Sequence, residues 1–277
     1  MKIGFHFPFS GGLVKLKDRI TESRGNTYQI FARGLRGGEL KPLKQNHLDD
    51  LLTFQNKKKI NPVFIHAPYV YNLANLENED ETRVLEDLEY AKCFRAPYYV
   101  INPGRYVNQH PLQAMENIKY QLWDILNQTD WMGEILIKNT RGSGTELAYD
   151  LRDWSELIGF HPRVKGCLDF ARLFTSGYEF RSENQAYDLV ETIEDYIGWD
   201  NIKMVYINDT HMDLGTRKED KEPPPLGEGL IGFNGYYFLL QHPVIQQKIW
   251  LIENTSESKY YYRTYNYLLP FFDNKYH

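Results

Sequence analysis

Val164-Lys165-Gly166-Cys167-Leu168-Asp169 is a short, mostly apolar run that stops on a carboxylate. Seven further runs follow the same pattern: Ile3–His6, Tyr28–Ala32, Val63–His66, Tyr99–Asn102, Ile135–Lys138, Met204–Asn208 and Ile249–Glu253, with consecutive starts 25 to 45 residues apart. That is the spacing of a strand, a loop and a helix. Nearly continuous apolar character marks parallel strands covered on both faces. Between the runs, apolar residues recur at three- and four-residue steps, as expected for helices. Examples are Val84, Leu88 and Ala91; Met115, Ile118, Leu122 and Ile125; and Ala186, Leu189, Ile193 and Ile197. Asp80 and Ser182 are of N-cap type for two of these helices. Eight strand–helix units without a linker predict one α/β domain over residues 1–277, a TIM (β/α)8 barrel. A doubly wound open sheet is the alternative fold. Ser10-Gly11-Gly12 is too short to be its glycine fingerprint.

The composition limits the function classes. A chain of 277 residues with 42% hydrophobic and 25% charged residues is not a disordered one. No apolar run approaches the roughly 20 residues of a membrane span, and Met1-Lys2-Ile3-Gly4-Phe5-His6 lacks the apolar core of a signal peptide. Cys93 and Cys167 are the only cysteines, which excludes a disulfide scaffold and implies a reducing, intracellular compartment, cytoplasm or nucleus. The net charge of −5 gives no long-range attraction to nucleic acid, so DNA binding would need a local basic groove. Twenty-one tyrosines, with many asparagines and lysines, suit an AT-rich coding sequence. A viral protein or another reduced-genome source fits that bias, with the virion as a further location.

In a parallel barrel the C-terminal strand ends converge on one mouth, where chemistry is done. The residues closing the eight runs are His6, Arg33, His66, Asn102, Lys138, Asp169, Asn208-Asp209 and Glu253. Every end is polar, and His66, Asp169 and Glu253 are of metal-ligand type.

At these residues the chain resembles endonuclease IV, the zinc-dependent apurinic/apyrimidinic endonucleases. The resemblance runs from Ile3 to about Thr255. Gly4-Phe5-His6 with Gly11-Gly12-Leu13 resembles the family's opening Gly-x-His and Gly-Gly-Leu. His66-Ala67-Pro68-Tyr69-Val70-Tyr71-Asn72-Leu73 resembles His-x-Ser-Tyr-Leu-x-Asn-Leu, and Asn102-Pro103-Gly104 resembles His-Pro-Gly. Lys138-Asn139-Thr140-Arg141-Gly142 resembles Glu-Asn-Thr-x-Gly. Gly166 to Asp169, with Ser176-Gly177-Tyr178-Glu179, resembles Gly-x-x-x-Asp-Thr-Cys-His and Gly-Tyr-Asp. Tyr206-Ile207-Asn208-Asp209 resembles His-Leu-Asn-Asp, Leu226-Gly227-Glu228-Gly229 with Ile231-Gly232 resembles Leu-Gly-Glu-Gly-x-Ile-Gly, and Glu253-Asn254-Thr255 resembles the last ligand strand.

The resemblance implies an endonuclease IV-like (xylose isomerase-like) barrel and a cluster of three zinc ions held by five histidines, two glutamates and two aspartates. Position by position, His66, Asp169 and Glu253 match ligands. Asn102 stands for a histidine, Lys138 for the glutamate that bridges two metals, and Arg172 and Tyr206 for two more histidines. The family's Asp-Arg-His falls in Glu219-Asp220-Lys221-Glu222-Pro223, where Asp220 or Glu219 matches the aspartate and no histidine follows. Two unmetalled carboxylates about 4 Å apart repel by on the order of 4 kcal/mol at an effective dielectric near 20. A lysine between Asp169 and Glu253 would cancel that repulsion, and it cannot ligate a metal. The expected state is therefore a barrel without a zinc cluster or other cofactor. Its metal positions His66, Asp169 and Glu253 are remnants, and Asn102, Lys138, Arg172 and Tyr206 replace the metal. No alternative nucleophile replaces it, since Cys167 is read as facing the opposite side of its strand from Asp169.

Two functions follow from this reading. The first is an inactive pseudoenzyme that binds nucleic acid or serves in an assembly. The alternative is an active apurinic/apyrimidinic endonuclease in DNA base excision repair, with one zinc or manganese ion in a reduced site to which His211 could contribute. The resemblance places Arg36, Tyr69 and Val70 at the family's DNA-inserting side chains, and Arg33, Arg36, Arg105, Lys138 and Arg141 in a basic patch around the mouth. Residues 259–277 crowd Tyr260, Tyr261, Tyr262, Tyr265, Tyr267, Phe271 and Phe272 together. More rings than one helix face can cover predict a partner surface or a homo-oligomer contact there.

Overall fold

A computed structural model describes residues 2–253 and 258–271. The elements in chain order are β1 (Lys2–His6), α1 (Gly12–Ser23), β2 (Thr27–Phe31), α2 (Gln45–Lys58), β3 (Val63–His66), α3 (Asp80–Cys93), β4 (Tyr98–Ile101), α4 (Pro111–Gln128), β5 (Glu134–Lys138), α5 (Leu151–Ile158), β6 (Val164–Asp169), α6 (Phe170–Ser176), α7 (Glu183–Tyr196), β7 (Ile202–Tyr206), α8 (Gly232–Gln241), α9 (Pro243–Gln246), β8 (Ile249–Ile252) and α10 (Ser258–Leu268). The strands pair in parallel in sequence order, and β8 returns to β1, so the sheet is a closed barrel. All eight expected strands form. Asn102, Asn208 and Glu253 fall just beyond their strands, on the first mouth residues.

Side-chain parity divides the core in two. Outward-facing residues such as Phe5, Ile65, Tyr99, Ile137 and Leu168 pack under the helices. Inward-facing Phe64, Val100, Leu136, Cys167, Met204, Tyr206 and Leu251 fill the barrel. Residues two apart share a face of a strand. Most of this plug therefore lies one step below a mouth residue: Phe64 below His66, Val100 below Asn102, Leu136 below Lys138, Cys167 below Asp169, and Leu251 below Glu253. This corrects the reading of Cys167, which shares the inner face with Asp169. Its thiol is fully buried, and burial pushes its pKa far up, so it is an apolar filler.

Two capping expectations also change. Helix α3 begins at Asp80 itself. The Asp80 carboxylate instead accepts from the Asn72 N–H at 2.8 Å and Asn78 Nδ2 at 2.7 Å, pinning the loop after β3. Ser182 precedes α7 as expected, but its hydroxyl donates to Gln185 Oε1 at 2.6 Å rather than accepting from the helix.

The aromatic C-terminal segment is mostly consumed by the chain itself. Helix α10 packs beside α1 and closes the outer ring. Tyr261 is 2% exposed, with its ring 5.0 Å from Phe5 and 5.5 Å from Phe7. Tyr267 stacks on Phe233 at 3.9 Å and meets Phe271 at 5.5 Å, and Leu268 is fully buried. Tyr262 is exposed, with Arg24 over its ring. Most of the rings expected to form a partner surface at residues 259–277 are thus packed on the barrel. Phe272 lies outside the described residues. Among the described residues, no helix is long and apolar enough to cross a membrane.

Candidate functional site

Lys138 closes β5, and its inward parity carries the ammonium to the centre of the mouth, fully buried. Nζ lies 2.5 Å from Glu253 Oε2, 3.0 Å from Asp169 Oδ2 and 3.7 Å from the centre of the Tyr206 ring. The cation thus sits between the two carboxylates, where the charge-replacement argument requires it. Burial alone would raise the Glu253 carboxyl; the Lys138 ammonium, with help from Arg172, outweighs burial and holds it far below the ordinary carboxylate range.

A polar network surrounds this pair. Asn208 Nδ2 donates to Asp169 Oδ2 at 3.2 Å and to Glu253 Oε2 at 3.4 Å, and Asn208 Oδ1 accepts from the Glu253 N–H at 2.9 Å. Arg172, in the first turn of α6, places Nε 3.7 Å from Asp169 Oδ2. Its Nη1 donates to Asn102 Oδ1 at 2.8 Å and to the Asn139 carbonyl at 3.2 Å. Asn102 and Arg172, both at positions where the resemblance implies histidines, thus bond to each other. Asn139 ties β5 to β6, accepting from the Asp169 N–H at 2.6 Å and donating to the Asp169 carbonyl at 3.2 Å.

On the other side, Tyr206 donates its hydroxyl to Gln29 Oε1 at 2.5 Å. That fixes the amide, so Gln29 Nε2 donates to His6 Nδ1 at 2.7 Å and to Glu253 Oε1 at 3.3 Å. Sequence reasoning missed Gln29, because β2 was read through its far end, Arg33. The available signal was a polar side chain inside an apolar strand run, at the parity that faces the barrel.

His66 Nδ1 bonds the Ala67 carbonyl at 2.6 Å, while Nε2 is buried without a hydrogen-bond partner among the described residues, 3.8 Å from Glu253 Oε1. Burial, with Lys138 nearby, pushes the His66 imidazole down to about 3 against the pull of Glu253. Burial likewise takes His6 down to about 4. Both rings are neutral near pH 7, so the close approach of His66 to Glu253 is not an ion pair. His66 meets Glu253, Glu253 meets Lys138, and Lys138 meets Asp169. The three remnant ligand positions are arranged in a row with an ammonium in it. Among the described residues, no three His, Cys, Asp or Glu side chains form a metal-binding group. His211 is mostly exposed, with Nδ1 3.6 Å from Asp220 Oδ2.

Around the rim most expected cations are paired. Arg33 is 6% exposed and donates to Asp87 Oδ1 at 2.8 Å, to Glu86 and to the Gly38 carbonyl, so its charge is spent between the β2 loop and α3. Arg105 pairs with Glu146 at 2.9 Å and Arg141 with Glu219 at 3.2 Å. The expected broad basic patch is therefore largely neutralised. Arg36 is exposed on the loop after β2. Leu35, Tyr69 and Val70 are half exposed beside it, and the Tyr69 N–H donates to the Leu35 carbonyl at 3.2 Å. The Tyr69 ring stands edge-on to His66 at 5.3 Å, with its hydroxyl 3.5 Å from Glu253 Oε1. Asp209 organises the opposite rim. Its carboxylate accepts from the N–H groups of Thr210, Gly227, Gly229, Ile231 and Gly232. A Cβ on Gly229 would lie 2.3 Å from Asp209 Oδ1, so only glycine permits this approach. The mouth opens into a cavity of about 690 Å³ bordered by Tyr69, Arg141, Asp169, Arg172, Glu219 and Glu253.

Residues 25–260 match a family model described as a xylose isomerase-like TIM barrel. A protein named probable endonuclease 4, from Carboxydothermus hydrogenoformans, is 31% identical over 259 residues, covering 91% of this chain and 90% of that relative. The chain belongs to the endonuclease IV family. A second probable endonuclease 4, from Halothermothrix orenii, is 27% identical over 265 residues, covering 93% of this chain and 95% of its own. Endonuclease IV from Thermus thermophilus has the same fold, with a TM-score of 0.83 at 22% identity over 98% of this chain and 99% of that one.

Proposed function

We propose that this chain is an endonuclease IV-type barrel that binds DNA and does not carry out metal-dependent cleavage. The observation behind this reading is the Lys138 ammonium held between Asp169 and Glu253. A protonated lysine offers only donors, so it cannot ligate a metal and repels one. Asn102 and Arg172 are bonded to each other, and Tyr206 is turned to Gln29 with its ring under the ammonium. The residues present do not fit a zinc cluster. In metal-dependent phosphodiester hydrolysis the ions activate water and neutralise the phosphate; here the fixed cations could serve only the second task. The relatives are named as endonucleases, and Tyr69 borders the mouth, with exposed Arg36 and Val70 on the loops after β2 and β3, where the family resemblance places its DNA-inserting side chains. Such side chains act as wedges that replace lost base stacking.

The test is elemental analysis of protein purified without chelator, paired with binding and cleavage assays on a duplex carrying an abasic site. No stoichiometric zinc, measurable binding and no strand scission with added zinc or manganese are expected. Two or more zinc ions per chain, or scission lost in His66→Ala and Glu253→Ala, would overturn the reading.

One observation favours the second reading, a single-ion nuclease. His66 Nε2 is a buried nitrogen without a hydrogen-bond partner among the described residues, 3.8 Å from Glu253 Oε1. One zinc or manganese ion per chain, dependent on His66, would support it.

A further inference from the structure

We propose that the mouth is an anion site in which Arg141 and Arg172 grip a phosphate group, and that the Glu219 carboxylate sits on Arg141 in its place when no phosphate is bound. This deepens the DNA-binding reading and rests on it for the source of the phosphate, a backbone phosphodiester.

The charges leave room for an anion. Lys138, Arg172 and Arg141 face two carboxylates, Asp169 and Glu253; Asp209 and Asp220 also border the cavity, but their carboxylates are taken up by backbone N–H donors. One positive charge remains, and Glu219 reaches in to meet it. That pairing is lopsided: the Arg141 side chain is 16% exposed and the Glu219 side chain 68%. Glu219 comes from the charged, proline-rich segment Glu219–Pro225. An exposed carboxylate on a surface loop is held to a semi-buried guanidinium mainly by charge, so an incoming phosphate can exchange with it.

Arg172 is better fixed. Asn102 and the Asn139 carbonyl hold Nη1, and Asp169 lies beside Nε. Its Nη2 takes no partner among the described residues, and the side chain borders the cavity. A guanidinium held by two neutral acceptors presents its remaining donors without further loss of side-chain freedom, which suits phosphate oxygens. Tyr69 borders the same cavity as the two cations. Burial and Glu253 push its hydroxyl up, and Arg172 and Arg141 draw it back, so both guanidiniums act on one hydroxyl. Its 3.5 Å bond to Glu253 is long enough to be exchanged for a phosphate oxygen. A cavity of about 690 Å³ takes a group of nucleotide size.

The experiment measures anisotropy of a labelled duplex bearing a tetrahydrofuran abasic analogue, and titration calorimetry with inorganic phosphate. Wild type is compared with Arg141→Gln, Glu219→Gln and Arg172→Gln. Arg172 also braces the mouth, so the first two variants, checked by thermal melts, carry the test. Arg141→Gln should weaken both probes by about tenfold to a hundredfold, the usual loss for a hydrogen bond to a charged group. Glu219→Gln should tighten both. Duplex binding that neither variant changes would overturn the anion site and leave the DNA reading standing. Inorganic phosphate bound through Arg141 with no duplex binding would uphold the site and overturn the DNA source. No binding of either probe would overturn both.

Discussion

The Lys138 ammonium stands 3.7 Å from the centre of the Tyr206 ring, and both residues occupy positions at which the family resemblance calls for metal ligands. The ring face is electron-rich and the ammonium is desolvated, so the contact is attractive, about 2 kcal/mol in such settings. The pair is a local substitute for a metal's charge: one residue supplies the cation and the other lines its site.

Replacing Lys138 by Met leaves Asp169 and Glu253 facing each other in a dry site. Breaking a buried pair from one side costs about 3–5 kcal/mol. Urea denaturation of Lys138→Met should show that loss, and adding Glu253→Gln should recover much of it by removing one charge. Lys138→Glu should be less stable still, with three clustered carboxylates, and should not cleave abasic duplex. A Lys138→Met protein as stable as wild type would show that the ammonium does not balance these carboxylates.

Tyr206→Phe retains the ring and loses the bond to Gln29, at a cost of about 1–2 kcal/mol. Tyr206→Leu loses the ring face as well, and should fall below the Phe variant by about 2 kcal/mol or more. Equal midpoints in the two variants would mean that the ring does not stabilise the ammonium.

Acid should destabilise this barrel earlier than its carboxylates alone predict. His6 is held down to about 4 and His66 to about 3, both chiefly by burial. In the unfolded chain each protonates near 6.5. Between about pH 6.5 and pH 4 the unfolded chain binds more protons than the folded one, so stability falls as pH drops. Glu253, depressed in the folded state, adds to the loss in the same direction below its ordinary value of 4.5. The combined loss from the two histidines is on the order of several kcal/mol by about pH 4. Urea midpoints measured from about pH 7 to about pH 4 should trace it. A His6→Gln, His66→Gln double variant should flatten the slope, and an unchanged slope would place the acid sensitivity elsewhere.

Asp209→Ala removes the common acceptor of five backbone N–H groups. Hydrogen exchange should speed up at Gly227, Gly229, Ile231 and Gly232 while the strands stay protected. Protection unchanged at these amides would mean that the loop holds its shape without the carboxylate.

Helix α10 should behave as part of the barrel. Tyr261→Ala opens a hole against Phe5 and Phe7, and comparable large-to-small changes cost about 3–5 kcal/mol. Tyr262→Ala, at an exposed ring, should change stability by less than about 0.5 kcal/mol. Equal effects at the two positions would contradict the packing.

The amino-acid sequence by itself determined the barrel and which residues close its strands at the mouth. A parallel strand covered on both faces has to be apolar along its length, so Val63–His66 and Val164–Asp169 announce themselves locally, and their final polar residues lie at one end by topology. Helical periodicity and the order of the motifs are also local properties. The tertiary structure decided which charges meet. Lys138 and Glu253 are 115 residues apart and end 2.5 Å from each other. Electrostatic energy depends on that distance and on burial, and only closure of the barrel sets either. The same closure turned Arg33 into a buried strut, put Cys167 beneath Asp169, brought Gln29 to Tyr206, and laid α10 over Phe5. In each case a residue's type was legible from the chain, while its role depended on a neighbour that only the folded barrel supplies.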